Sequence, residues 1–188
     1  MLDLDVTTAS LDELETLTLD DLLGQRMDEI DFVRHLPTGS YALQFDMDKT
    51  LQESLTRRAA DFDNDKKASV SLSLRFRVVK ALAVADSNID PESLKGRFHT
   101  QRFFLTNDMG PRQVALLICG VIGLDPRNKE ALAELGGALW QALEELRVNK
   151  VTFGCRVKQE ERNGYDNCDI VFKYGDFVSA EQIGTLLD

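Results

Sequence analysis

Hydrophobic and polar residues alternate with a period of two in five stretches of the chain, and this alternation predicts five β-strands. The clearest stretch reads SVSLSLRFRVV from Ser69, with apolar side chains on one face and serines and arginines on the other. Such a strand is buried on one face and solvated on the other, as in an antiparallel sheet. The other four stretches cover residues 41 to 47, 97 to 105, 151 to 158 and 168 to 174.

The period changes to about 3.6 between the third and fourth predicted strands, which indicates helices there. Pro111 suits a first helical turn, and an apolar helix is predicted from there to about Leu124. A second helix is predicted from near Asn128. Its leucines recur at helical spacing, at Leu132, Leu135, Leu139, Leu143 and Leu146. The dipeptide Asn163-Gly164 predicts a tight hairpin between the last two strands.

The predicted order is three strands, a helical insert and two strands, which is the order of an OB-fold, a five-stranded and partly open barrel. We therefore predict a mainly β domain of the α+β class over residues 36 to 188. It is expected to be an OB-like five-stranded antiparallel barrel with two helices between strands 3 and 4. Residues 1 to 35 are predicted to form an acidic, partly helical N-terminal arm, because capping-box spacings precede short leucine-containing amphipathic stretches.

Composition narrows the class of protein. The chain has 188 residues, 43% of them hydrophobic and 29% charged, which suits a globular fold rather than a disordered one. The longest apolar stretch, residues 114 to 124, is well short of the roughly twenty residues that a membrane span requires, so no membrane partner is expected. The N-terminus does not read as a secretory signal, and three cysteines without C-x-x-C spacing fit reduced, buried thiols. The expected location is cytoplasmic.

Charge is distributed unevenly along the chain. The net charge of −10 would ordinarily argue against nucleic acid as a partner. However, residues 1 to 65 carry 16 acids and 5 bases, whereas residues 66 to 112 carry 4 acids and 9 bases. This distribution indicates an anion-binding face and an acidic arm, and the alternative is a solvated surface with no ligand.

Three segments together carry a family resemblance. GRFHTQRFFLTNDMG, an apolar helix ending in IGLD, and KVTFGCRVKQEERNGYDNCDIV resemble phage-encoded single-stranded-DNA-binding proteins and their OB-like relatives, over residues 37 to 174. The resemblance implies a non-enzymatic protein that binds single-stranded DNA in phage replication or recombination, in the host cytoplasm. That family usually carries its acidic segment at the C-terminus. The acidic arm of this chain is N-terminal and departs from that plan. We nevertheless expect it to recruit replication or recombination proteins.

A sheet that binds single strands needs cations along the backbone path and aromatic faces for the bases. In the third strand, an inward Phe103 turns Arg102 and Phe104 outward, whereas the opposite register would bury Arg102 without a partner, at a high cost. We expect the outward residues to share one surface. The alternative for the cations is a solvated face without a ligand, and the alternative for the aromatic residues is packing in the core. The predicted nucleic-acid-binding residues are Arg75, Arg77, Lys80, Phe98, Arg102, Phe104, Arg156 and Lys158.

Two other functions compete with nucleic-acid binding. The segment FDMDKTL at residues 45 to 51 resembles the first motif of haloacid-dehalogenase-type phosphohydrolases, with Asp46 as nucleophile and Asp48 as acid/base. That fold uses a parallel sheet with near-continuous apolar strands, whereas these strands alternate, which favours a protein that is not an enzyme. A structural or adaptor protein, such as a virion component, also suits the acidic charge.

No cofactor or metal site is predicted. The acids at residues 61 to 65 imitate the start of a calcium loop, but Lys66 stands where the loop requires glycine. His35 and His99 are the only histidines, and they have no zinc-site spacing with the cysteines. The chain contains neither a G-x-x-x-x-G-K nor a G-x-G-x-x-G phosphate-binding loop.

Overall fold

The computed structural model describes residues 35 to 60, 67 to 128, 130, 133, 138 to 162, 165 to 173 and 175 to 187. Of the predicted arm, His35 alone falls within these ranges. The helices predicted for the arm, the acidic loop at residues 61 to 65 and the Asn163-Gly164 turn lie outside the described residues.

Strands dominate the described part of the chain, and helices follow the fourth and the seventh strand. The strands are β1 Gly39–Phe45, β2 Leu55–Arg58, β3 Ser69–Val84, β4 Phe98–Phe104, β5 Thr152–Arg162, β6 Tyr165–Ile170 and β7 Phe177–Val178. The helices are α1 Met109–Ile122, α2 Leu139–Val148 and α3 Ala180–Leu187, and Pro91–Leu94 forms a 3-10 turn. The five predicted strands are all present, whereas β2, β7 and α3 were not predicted.

The described strands form one antiparallel sheet. Its long strands neighbour each other in the order β4, β3, β1, β5, β6, while β2 pairs with the start of β3 and β7 pairs with β5. Arg162 is paired with Tyr165, so β5 and β6 form the hairpin that the Asn-Gly dipeptide predicted. The domain is therefore mainly β, with an open, curled sheet in the shape of a half-barrel.

The curl has a local cause in β1 and β3. β3 is 16 residues long, and it pairs with β4 along its first half and with β1 along its second half. The β1–β3 register shifts between Ser40 and Tyr41 and again between Ala42 and Leu43. Because such bulges bend a strand and increase its twist, they let β3 serve both halves of the curled sheet.

The concave face of the sheet holds the hydrophobic core. Phe45, Phe76 and Phe153 are fully buried there, and Phe76 meets the other two rings edge to face at centroid distances of 5.0 and 5.5 Å. Edge-to-face packing aligns the positive edge of one ring with the negative face of the next. The alternation that predicted these strands therefore correctly assigned their buried face.

The two open edges of the sheet, β4 and β6, meet through a side chain. The backbone N–H of Ile170 donates to Oε1 of Gln101 at 2.8 Å, and Nε2 of Gln101 donates to Oδ1 of Asp169 at 3.1 Å. Next to this bridge, buried His99 places Nδ1 3.8 Å from Sγ of Cys168. We call this region, Gln101 and His99 of β4 with Cys168, Asp169 and Ile170 of β6, the β4–β6 seam.

Helix α1 follows β4 through a tight turn. Oδ1 of Asn107 accepts from the backbone N–H groups of Met109 and Gly110, at 3.1 and 2.8 Å, and so caps the helix. At its other end Gly123 adopts a positive φ of 75°, a left-handed conformation that ends the helix. The predicted end near Leu124 is thus correct to within about one turn.

One predicted element end is untested and one differs from the structure. The predicted helix start near Asn128 stays a prediction, because most residues between 128 and 138 lie outside the described ranges and α2 is described from Leu139. β6 ends at Ile170 rather than continuing to residue 174, and Phe172 packs edge to face against Phe103 of β4 at 5.5 Å. No helix in the described residues is long and apolar enough to cross a membrane.

Candidate nucleic-acid interface

Strand β4 alternates strictly between buried and exposed side chains. His99, Gln101 and Phe103 point inward, and Phe103 is fully buried. The outward positions carry Phe98 and Phe104, which are 49% and 48% exposed. Arg102 lies between them and is exposed. The register predicted from the cost of burying Arg102 is therefore confirmed.

Strand β3 places its own outward residues beside those of β4. Arg77 pairs with Phe98, Arg75 with Thr100, Ser73 with Arg102 and Ser71 with Phe104. Side chains of residues paired in this way share one face of the sheet. The guanidinium carbon of Arg75 lies over the Phe98 ring, 4.9 Å from its centroid. We call the surface formed by Arg75, Arg77, Phe98, Arg102 and Phe104 the β3–β4 outer face.

Two aspartates at the end of β1 contact the arginines of β3. Nε of Arg75 donates to the backbone oxygen of Asp46 at 2.8 Å, and its Nη2 lies 3.6 Å from Oδ2 of Asp48. Nε of Arg77 lies 3.3 Å from Oδ2 of Asp46, and its Nη2 donates to Oε1 of Gln44 at 3.2 Å. An anion that binds these arginines must therefore compete with carboxylates of the same chain.

The turn that carries these aspartates is held in place from both sides. Thr50 and Glu53 exchange hydrogen bonds in a capping-box arrangement, and hydrogen bonds from Thr50 lower the pKa of the Glu53 carboxyl. Leu51 is buried in the core, and Nη1 of Arg147 donates to the backbone oxygen of Met47 at 3.4 Å. The aspartates thus stand on an anchored turn.

A polar cleft of about 390 Å³ lies between this turn and the β3–β4 outer face. Arg75 forms part of its wall, together with charged side chains of the turn and hydroxyl groups of three strands. The residues that line the cleft include Asp48, Lys49, Thr56, Ser73, Arg75 and Thr100. A volume of this size falls in the range of small-ligand sites.

The predicted cations on β5 lie apart from this surface. A methyl group added at Gly154 would lie 2.6 Å from Cβ of Val178 and 3.2 Å from Cδ1 of Ile183. The side chains of Val178 in β7, the strand paired with β5, and of Ile183 in α3 therefore cover the outer face of β5 there. Arg156 lies beyond this cover, beside a second cavity of about 430 Å³. Lys158 forms an ion pair with Glu160. The expectation of one continuous surface was therefore wrong, because the unpredicted β7 and α3 interrupt it.

Lys80 belongs neither to the β3–β4 outer face nor to the β5 cations Arg156 and Lys158. It is exposed on β3 and is paired with Ala42 of β1, beyond the bulge that follows Val78. Ala42 itself is fully buried although it lies on the outward side of β1, which is a further sign that this part of the sheet is covered. Lys80 thus lies between the β3–β4 outer face and Arg156.

Sequence reasoning considered Asp46 and Asp48 only as catalytic residues and missed their contacts with the arginines. These contacts form because β1, which the two acids follow, is the antiparallel neighbour of the strand that carries Arg75 and Arg77, and no pattern within either segment shows that pairing. The pairings of β1 are antiparallel, whereas the phosphohydrolase motif belongs to a parallel sheet. Within the described residues, no group of three or more His, Cys, Asp or Glu side chains is placed to hold a metal ion.

Comparison with known proteins returns no match to any family model, curated protein or solved structure.

Proposed function

We propose that residues 36 to 188 form an OB-like barrel that binds single-stranded nucleic acid, DNA above all, on the β3–β4 outer face. The neighbour order β4, β3, β1, β5, β6 supports the OB-like assignment, as does the position of α1 and α2 between β4 and β5. In an OB-fold the face of the second and third barrel strands is the surface that binds oligonucleotides. Those two barrel strands correspond to β3 and β4.

The observation that carries the proposal is the half-exposure of Phe98 and Phe104 on one face of one strand. Exposing two large aromatic rings gains nothing for folding, since each could bury more apolar surface in the core. They lie six residues apart, about 20 Å along a strand, with Arg102 between them. Aromatic side chains spaced along a groove and separated by cations are the arrangement on which successive bases stack without sequence preference.

The cations of this face suit phosphates that follow the same path. Arg102 is exposed, whereas Arg77 and Arg75 are about half exposed and contact Asp46 and Asp48. A phosphate at Arg77 must displace the Asp46 carboxylate, whose side chain is only 17% exposed, so this contact costs more than one at exposed Arg102. We therefore expect modest affinity that depends strongly on salt.

The test is a fluorescence-anisotropy titration of the full chain with a labelled oligo-dT at several salt concentrations. Three or four phosphate contacts, at roughly −0.7 each, predict a slope of log K against log salt between about −2 and −3. A hairpin duplex of equal charge serves as the control and should bind more weakly, because its bases cannot reach the aromatic rings. Absence of oligo-dT binding at low salt would falsify the proposal.

A structural or adaptor role predicts no response to any oligonucleotide in this titration. A role in phage replication or recombination, and recruitment of such proteins by the acidic arm, remain predictions from the resemblance alone.

The phosphohydrolase alternative predicts phosphate release from a generic phosphomonoester with Mg²⁺, abolished by Asp46→Asn. We expect no release above background.

A further inference from the structure

Arg75 differs from the other cations of the β3–β4 outer face in what surrounds its guanidinium. The guanidinium carbon of Arg75 lies over the Phe98 ring, 4.9 Å from the ring centroid. Arg75 also lines the polar cleft of about 390 Å³. This one side chain therefore connects the aromatic ring to the cleft.

The edge of the Arg75 guanidinium is already engaged by the protein. Nε donates to the backbone oxygen of Asp46 at 2.8 Å, and Nη2 faces the Asp48 carboxylate at 3.6 Å. These contacts lie at the edge of the planar group, so they fix its orientation and partly compensate its charge. Neither contact uses Nη1, so its N–H groups and the side of the guanidinium turned away from Phe98 remain for a ligand.

We propose that Arg75 acts as a stacking platform for a nucleobase rather than as a phosphate contact, with the nucleotide seated in the adjoining cleft. This inference rests on the proposed function. Guanidinium planes stack on bases in single-strand recognition, and a planar group held at its edge and supported by an aromatic ring is preorganised for that role. Lysine cannot replace it, because an ammonium group has no planar face.

The cleft supplies polar partners for the rest of the nucleotide. Ser73 and Thr100 offer hydroxyl groups on the strand side, and Thr56 offers another from β2. Lys49 and Asp48 stand on the opposite side, on the anchored turn. Hydroxyls, a cation and a carboxylate provide both donors and acceptors, which suits a sugar and the polar edge of a base.

The experiment compares Arg75→Lys with the matched control Arg77→Lys in the full chain. Both variants keep the positive charge, and both side chains are about half exposed. Each arginine forms an ion pair with an aspartate, Arg75 with Asp48 and Arg77 with Asp46. Binding is measured by anisotropy with an oligonucleotide and with an abasic oligomer of the same length, each over a range of salt. Thermal unfolding of both variants establishes that the fold is retained.

We expect Arg75→Lys to weaken oligonucleotide binding about fivefold or more and to leave the salt slope unchanged, because one stacked base is lost. Arg77→Lys keeps a cation for the phosphate path and should weaken binding by a smaller factor than Arg75→Lys. On the abasic oligomer Arg75→Lys should equal the unaltered chain, since no base is present to stack.

Two results would overturn this inference but not the proposed function, provided that the unaltered chain binds the oligonucleotide. One is equal affinity of Arg75→Lys and Arg77→Lys for the oligonucleotide. The other is the same loss for Arg75→Lys on the abasic oligomer, which would identify Arg75 as a backbone contact. If the unaltered chain binds no oligonucleotide, the proposed function fails first and the inference fails with it.

Discussion

Phe103 and Phe104 are neighbours in sequence and of identical chemistry, yet the structure gives them opposite environments. Phe103 is fully buried in the core and Phe104 is 48% exposed on the β3–β4 outer face. The difference follows from the period of a β-strand, in which successive side chains point to opposite faces. The pair therefore offers an internal control that separates binding from folding.

We expect Phe104→Ala to weaken single-strand binding by about 1 to 3 kcal/mol, the value of one base stacked on an aromatic ring. Its effect on the free energy of unfolding should be small. Phe103→Ala should instead lower the free energy of unfolding by about 3 to 5 kcal/mol, because it leaves a cavity in the core. Urea unfolding and anisotropy on both variants measure the two quantities, and a Phe104→Ala chain that is destabilised but binds fully would contradict the assignment.

At the scale of elements, the β4–β6 seam is where the half-barrel depends on side chains rather than on a backbone ladder. Gln101 bridges the two strands, and Sγ of Cys168 donates to the backbone oxygen of Leu36 at 3.2 Å. Burial raises the pKa of Cys168 to about 11, so the thiol keeps its proton. His99 is 5% exposed, and its Nε2 has no hydrogen-bond partner among the described residues.

The seam should respond to acid through His99. Burial lowers the pKa of this imidazole, against smaller opposing effects of Gln101 and Asp169, so the native state holds His99 neutral. The unfolded chain takes up the proton near pH 6.5, before the folded chain does, and the free energy of unfolding is therefore lost as pH falls below about 6.5. The loss approaches about 1.4 kcal/mol per pH unit while only the unfolded state is protonated.

Urea unfolding between pH 7.5 and 5.5 measures this dependence. His99→Gln should flatten it, because glutamine cannot take up the proton. An unaltered slope in the His99→Gln chain would show that His99 does not control acid sensitivity.

At the scale of the whole molecule, the chain combines a net charge of −10 with a proposed ligand that is itself an anion. Residues 1 to 35 carry 10 acids and 2 bases, so most of the excess negative charge lies in this segment. A tethered acidic segment has a high effective concentration at cationic sites of its own chain. The charge distribution therefore predicts that this segment competes with nucleic acid.

A chain that starts at Leu36 should bind oligo-dT more tightly than the full chain, most clearly at low salt, because screening weakens the competition at high salt. A full-length chain whose acids at residues 1 to 35 are replaced by their amides is the control and should show the same gain. If affinity is unchanged but a protein partner is lost in pull-down, the segment recruits partners instead. If the shortened chain fails to fold, the segment belongs to the core and both roles fall.

The sequence by itself determined five of the seven described strands and their buried faces. The alternation in SVSLSLRFRVV and the inward Phe103 depend on the two-residue period of a strand and on the cost of burying a charge, which are local properties. Tertiary structure alone decided which strands became neighbours. It therefore decided that Asp46 and Asp48 contact the arginines of β3. It also decided that Val178 and Ile183 cover Gly154. Those contacts join residues far apart in the chain, and no periodicity within a segment encodes them.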